Sequence, residues 1–173
     1  MELRRPQLAD KTAVLDMMAE FQGEESPHAG GFWDSQDFDY QAWLERNKET
    51  ELGLSLPDKW VPAIQFVAFS DEGQALALGF LSLRLRLNEA LLRVGGHIGY
   101  SVRPSQRGKG YAKEMLTEAL QVCQAKNIKR ALVTCHSDNP ASRAVILANG
   151  GLLGNILDGV ERYWIEVGRD KDE

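Results

Sequence analysis

With 173 residues, 20 Lys and Arg against 25 Asp and Glu, and a formal net charge of −5, the chain has room for one full hydrophobic core and a mildly acidic surface. That balance argues against a general nucleic-acid binder, which is normally basic. No apolar run is long enough to span a bilayer, and Met1-Glu2-Leu3-Arg4-Arg5-Pro6 lacks the apolar stretch of a signal peptide, so the expectation is a cytoplasmic protein that binds neither nucleic acid nor membrane.

In chain order, Glu2 to Pro6 reads as an edge strand, and Asp10 can cap a helix with Val14, Met17, Met18 and Phe21 on its apolar face. Gly23 to Asp37 is polar and Gly-rich and is expected to be a mobile loop, with His28 exposed. A second helix over Phe38 to Asn47 would bury Tyr40, Trp43 and Leu44. Leu52 to Pro62 is irregular; Ile64 to Phe69 is a strand, and Ala75 to Leu87 is a long one. In the latter Leu81, Leu83, Leu85 and Leu87 alternate with Ser82, Arg84 and Arg86, which predicts an apolar face under helices and a polar face lining a groove or meeting water. Asn88 to Arg93 is a connection, and a further strand starts near Gly95.

From Ala112 the pattern Met115, Leu116, Ala119, Leu120, Cys123 is helical without a break, with Asn127 as a stop signal. Ala131 to Cys135 is an apolar strand buried on both faces. Pro140 suits the first turn of another helix, capped by Asp138 or Asn139, with Ala141, Ala144, Val145 and Ala148 as its core stripe. Leu152 to Val167 forms a hairpin about Asp158-Gly159, followed by a charged tail from Gly168. The cysteines, Cys123 and Cys135, read as reduced core thiols with no zinc-ligand spacing, and no metal is expected. The order βααβββαβαββ describes one mixed α/β (α+β) domain over residues 1–173, with a largely antiparallel central sheet flanked by helices.

The chemistry is concentrated between Ile98 and Ala112, where a strand ends in a basic Gly-rich loop that opens into a helix. Loop N–H groups and the unpaired N–H groups of the first helical turn converge on one point and hold an anion there. Arg103, Arg107 and Lys109 form a local basic patch. A P-loop is excluded because Lys109 is followed by Gly110 rather than by Ser or Thr. A dinucleotide fingerprint is excluded because Lys113 stands where its third glycine is required. Arg107-Gly108-Lys109-Gly110-Tyr111-Ala112 does fit Arg/Gln-x-x-Gly-x-Gly/Ala, and here the chain resembles the GNAT superfamily of N-acetyltransferases. The resemblance is detailed from about Gly79 to Val167, and Gly95 to Pro104 is similar to a bacterial subgroup of these enzymes.

The resemblance implies that acetyl-CoA is the acyl donor, with its pyrophosphate on Arg107, Gly108, Lys109, Gly110, Tyr111 and Ala112. It implies that the pantetheine arm lies along Tyr100, Ser101 and Val102, with Asn139 and Ser142 contributing from the next helix. Many members place a tyrosine seven residues after that asparagine as general acid, but this chain has Ile146 there. Candidates for the catalytic groups are His97, Tyr100 and Tyr163; His97 competes with a cross-sheet hydrogen-bonding role, Tyr163 with a place on the sheet face, and His136 reads as a loop residue.

The acceptor is expected to be a small-molecule or protein amine, and the chain a monomer or homodimer. Arg84 and Arg86 are candidates for binding an acceptor carboxylate or phosphate. Glu24, Glu25, Asp34, Asp37 and Asp39 either draw in a polycation or are solvated. An acyl-CoA-binding sensor without turnover and a nucleotide-binding module are the competing readings.

Overall fold

A computed structural model of the chain describes residues 1–34, 36–73 and 75–168. Its elements are β1 (Glu2–Arg4), α1 (Lys11–Gly23), α2 (Tyr40–Leu52), β2 (Ala63–Phe69), β3 (Ala77–Arg84), α3 (Glu89–Arg93), β4 (Ile98–Val102), α4 (Tyr111–Ala125), β5 (Arg130–His136), α5 (Pro140–Ala148), β6 (Leu152–Leu157) and β7 (Val160–Glu166). Local chemistry sets many of these bounds. The Asp39 carboxylate accepts the Ala42 N–H at 3.1 Å to open α2, and Gly53, at φ 75°, closes it. Asn127 stops the chain after α4 at φ 59°. The long strand expected to run to Leu87 ends at Arg84, because Asn88 caps α3 by accepting the Leu91 N–H at 2.9 Å.

Two antiparallel sheets result, β1-β2-β3-β4 and β5-β7-β6. Two apolar clusters lie on opposite faces of the first. Leu81, Leu83, Ile98, Met115, Leu116 and Val133 join that sheet to α4 and the second sheet. Phe80, Phe21, Met17 and Trp43 join it to α1 and α2. Phe80 has the rings of Trp33 and Phe21 at 5.1 and 5.7 Å between centroids.

One expectation is resolved and two change. Of the two places open to the polar face of β3, a groove or water, Ser82 and Arg84 take the groove: Ser82 is buried and Arg84 is half-buried. In α5, Ala141, Ala144 and Ala148 are exposed, while Ile146 is wholly buried and Val145 packs beside it. The segment after α1 is tied down rather than mobile. Ser101 Oγ donates to Ala29 O at 2.7 Å, and Gln65 Nε2 donates to Gly30 O at 2.8 Å. A Cβ on Gly30 would fall 2.3 Å from Gly99 O, so only glycine allows the loop to lie this close to β4. The tail expected to fray lies, beyond residue 168, outside the described residues. Among the described residues no helix is long and apolar enough to cross a membrane.

Candidate active site

Beside β4 the two sheets meet and then part. The His97 N–H donates to Leu132 O at 2.8 Å, and the Leu132 N–H donates to His97 Nδ1 at 2.9 Å. No ladder of strand pairs joins β4 to β5 among the described residues. On the other edge, Arg84 N donates to His97 O and Arg103 N to Leu78 O. With Ser82 opposite Gly99 and Phe80 opposite Ser101, antiparallel alternation gives the peptide groups of Gly99 and Ser101 to β3. It turns those of Ile98, Tyr100 and Val102 toward the parting. Peptide groups on an open strand edge accept an extended, amide-bearing ligand as an added strand.

His97 is the hinge pin of this split rather than a base facing an acceptor. It is buried, and desolvation, aided by the Arg84 guanidinium, pushes its pKa down to about 4. The imidazole is therefore neutral. Nδ1 accepts the Leu132 N–H, which leaves the proton on Nε2, so neither nitrogen offers a lone pair to an amine.

At the far end of β4 the chain makes one turn, Pro104–Gln106, and reaches the Gly-rich loop. Gly108 and Gly110 sit at φ 76° and 83°, and a Cβ on either would meet nothing within 4 Å. Their glycine character is required by backbone conformation, and the space before them is open. Arg107 is fixed by donating from Nε to Val102 O at 3.1 Å and from Nη2 to Ser26 Oγ at 2.8 Å. Lys109 Nζ donates to Gln106 Oε1 at 3.1 Å. Tyr111 and Ala112 open α4 and are half-buried.

Arg103 leaves the expected basic patch. It is buried and pairs with Asp16 at 3.0 Å and Glu20 at 3.2 Å. Burial pushes the Glu20 carboxyl up, but the Ser105 N–H, the Arg103 guanidinium and the Ser105 hydroxyl outweigh it and hold the pKa at about 2.

Tyr100 projects to the α4 side, where its hydroxyl lies 2.9 Å from Ser142 Oγ. Burial raises its pKa, so it stays protonated at neutral pH. Asn139 caps α5 by accepting the Ser142 N–H at 3.1 Å. Tyr163 is brought to another place: it is buried and donates to Glu161 Oε1 at 2.7 Å. Arg143 grips both oxygens of Glu161 at 2.7 Å and, as the main cause, holds the Glu161 pKa near 2. This ion pair, with Glu161 buried and Arg143 half-buried, ties α5 to β7, and no local motif announces it. His136 is exposed at the end of β5, and the two cysteines are buried and unpaired. Among the described residues no metal-binding group of three or more His, Cys, Asp or Glu gathers.

On the opposite face of the first sheet, beneath the loop that carries Gly30 and Gly31, is a cavity of about 730 Å³. Phe32, Trp33, Trp43 and Trp60 make its aromatic walls, and Gln65 and Ser82 contribute from β2 and β3. Arg84, Arg46 and Lys59 supply positive charge. His28 lines it too, stacked on Trp33 at 3.8 Å with Nδ1 2.7 Å from Gly31 O, rather than standing free in solvent. Arg86 is exposed and does not line it. Of the five acidic residues weighed as a cation lure, Asp34 alone lines it.

A sheet opened along one strand, with an anion loop at that strand's end, is the frame of an acyltransferase that takes its acyl group from a pantetheine thioester. The family model for the acetyltransferase (GNAT) domain matches residues 1–151, so this chain belongs to the GNAT acetyltransferase family. Among solved structures, the ribosomal-protein-S5-alanine acetyltransferase from Vibrio fischeri superposes with a TM-score of 0.68 at 16% identity, covering 96% of this chain and 93% of that one. The putative acetyltransferase yncA from Salmonella typhimurium, solved with acetyl-CoA, has a TM-score of 0.61 at 14% identity, with 98% and 95% covered. A point mutant of the spermidine N-acetyltransferase SpeG from Vibrio cholerae has a TM-score of 0.58 at 16% identity, with 96% and 95% covered. No curated protein matches the sequence.

Proposed function

We propose that the chain is an acetyl-CoA-dependent N-acetyltransferase acting on a primary amine by direct attack in a ternary complex. The observation that carries this reading is the edge of β4, whose outward peptide groups lead straight to the Arg107–Gly110 loop. Acetyl-CoA, when bound, supplies the acetyl thioester. Gly108 and Gly110 leave room for a pyrophosphate before the first turn of α4, and Arg107 and Lys109 bring charge to it. The outward N–H groups of β4 polarise the thioester carbonyl. Acceptor and donor come from opposite faces of the sheet, because the cavity lies on the α1 and α2 side and Tyr100 on the α4 side.

With Ile146 buried in the core, the proton for the departing thiolate comes from Tyr100, oriented by Ser142, and the proton that the attacking nitrogen sheds passes through solvent and restores the Tyr100 hydroxyl. Tyr100→Phe is expected to lower kcat about tenfold while leaving the KM for acetyl-CoA within about twofold, since only the proton donor is lost. Arg107→Ala is expected to weaken acetyl-CoA binding about tenfold by calorimetry, the effect of one charge-assisted phosphate contact. The two unpaired, buried cysteines accord with a reducing, cytoplasmic setting. Thiol release from acetyl-CoA against a panel of amines tests the activity: release with no acceptor above background would remove it.

A further inference from the structure

Arg84 is a cation that no described carboxylate neutralises. Its Nη1 donates to Gly95 O at 3.1 Å and Gly96 O at 3.2 Å, which fixes the side chain at the end of β3. Nε and Nη2 have no hydrogen-bond partner among the described residues. The guanidinium is half-buried, and burial pushes its pKa down. Arg84 lines the cavity described above.

The position of the free donors narrows the ligand. A Cβ on Gly99 would lie 3.4 Å from Arg84 Nη2, so the guanidinium rests against the middle of β4. The neighbours of Gly99, Ile98 and Tyr100, carry the peptide groups that face the parting. An anion on Arg84 therefore lies on the cavity side of β4, beside the strand edge that an acceptor amine must reach, and an acceptor that carries its carboxylate close to its amine, as an α-amino acid does, can meet both. Phe32 and Trp60 stand 5.5 Å apart and are 49% and 46% exposed, large apolar surface left open at the cavity.

Resting on the acetyltransferase reading above, we propose that the acceptor is an aromatic α-amino acid whose carboxylate is held by Arg84. Arginine grips a carboxylate through two N–H groups in one plane, and the aromatic walls take the side chain. A polycation is disfavoured, because three cationic side chains line the cavity against Asp34 alone.

The test compares L-phenylalanine and L-tryptophan with phenethylamine and tryptamine, the same molecules without the carboxylate, and with spermidine. The wild-type protein is expected to favour the amino acids at least about tenfold in kcat/KM, the range of one charged hydrogen bond. This comparison needs no variant. In Arg84→Gln the ratio is expected to fall toward one, with Arg84→Lys between, and retained stabilisation by acetyl-CoA shows that each variant is folded. Equal or inverted preference in the wild type, or loss in Arg84→Gln that is equal for acid and amine, overturns the proposal. Calorimetry with N-acetyl-L-phenylalanine and N-acetylphenethylamine separates it from the acetyltransferase reading. Carboxylate-dependent binding without thiol release keeps the Arg84 site and removes the enzyme. Thiol release that prefers carboxylate-free amines keeps the enzyme and removes the Arg84 assignment. Equal binding of the two N-acetyl compounds, or none, also overturns it.

Discussion

Replacing Gly96 with alanine is expected to cost at least about 3 kcal/mol of stability and to abolish tight acetyl-CoA binding. Gly96 stands where the two sheets are pinned, at φ 59°, and a Cβ there would lie 2.3 Å from Leu132 O and 2.9 Å from Leu132 C. The obstacle is backbone, which cannot rotate aside as a side chain does. Alanine must either move β5 or abandon its conformation. Moving β5 breaks the His97 N–H to Leu132 O bond and the Leu132 N–H to His97 Nδ1 bond together. Each buried group left unpaired costs roughly 1–3 kcal/mol, and a left-handed alanine adds about 1 kcal/mol. Gly110→Ala is the comparison: its φ is 83°, but a Cβ there meets nothing within 4 Å. It is expected to lose only about 1 kcal/mol while still impairing acetyl-CoA binding. Urea unfolding of both variants beside wild type decides the matter, and equal losses would refute a backbone clash at Gly96.

The phosphate loop was legible because its information is local. Arg107 to Ala112 sets its own conformation through two glycines and opens its own helix. What the sequence hid depends on partners far along the chain. Arg103 reads as part of the basic loop, yet its charge is spent on Asp16 and Glu20 in α1. The segment from Gly23 to Asp37 reads as mobile because it is polar and Gly-rich. One of those glycines instead admits Gly99 O, and a long-range fit of this kind leaves no periodic trace. In α5 the small alanines completed a helical stripe by count, but burial follows area, and Ile146 takes the core position. The polar side of β3 shows the same limit from the other direction. Alternation separated Ser82 and Arg84 from the leucines, but it could not show that a distant loop roofs them into a cavity. The cavity could not be read from the sequence, because aromatic walls from α2 and two loops meet only in three dimensions.

Stability should fall between pH 6.5 and about 4, and His97 should be the cause. Its folded-state pKa, about 4, lies below the ordinary 6.5, because burial first and the Arg84 guanidinium second disfavour a charged imidazole. The unfolded chain therefore binds a proton in this window that the folded chain refuses. The stabilisation is complete above pH 6.5 and is lost as pH falls toward 4, by up to about 1.4 kcal/mol per pH unit. The full shift corresponds to roughly 3 kcal/mol, and screening by water that reaches the cleft brings the expected loss to about 2 kcal/mol. The carboxylates held low, Glu20 and Glu161 at about 2, give up their stabilisation only in more acid solution, once the unfolded carboxyls begin to protonate near 4.5. Asparagine at position 97 can still place an acceptor near the Leu132 N–H but cannot titrate. Urea unfolding at pH 7, 6 and 5 should thus give a slope for wild type and a flat line for His97→Asn, whatever stability the variant has lost at pH 7. Parallel slopes would mean that His97 titrates in the folded protein much as it does in the unfolded chain. The imidazole would then be free to take a proton from an amine, and the bond from Leu132 would no longer define the point where the sheets divide.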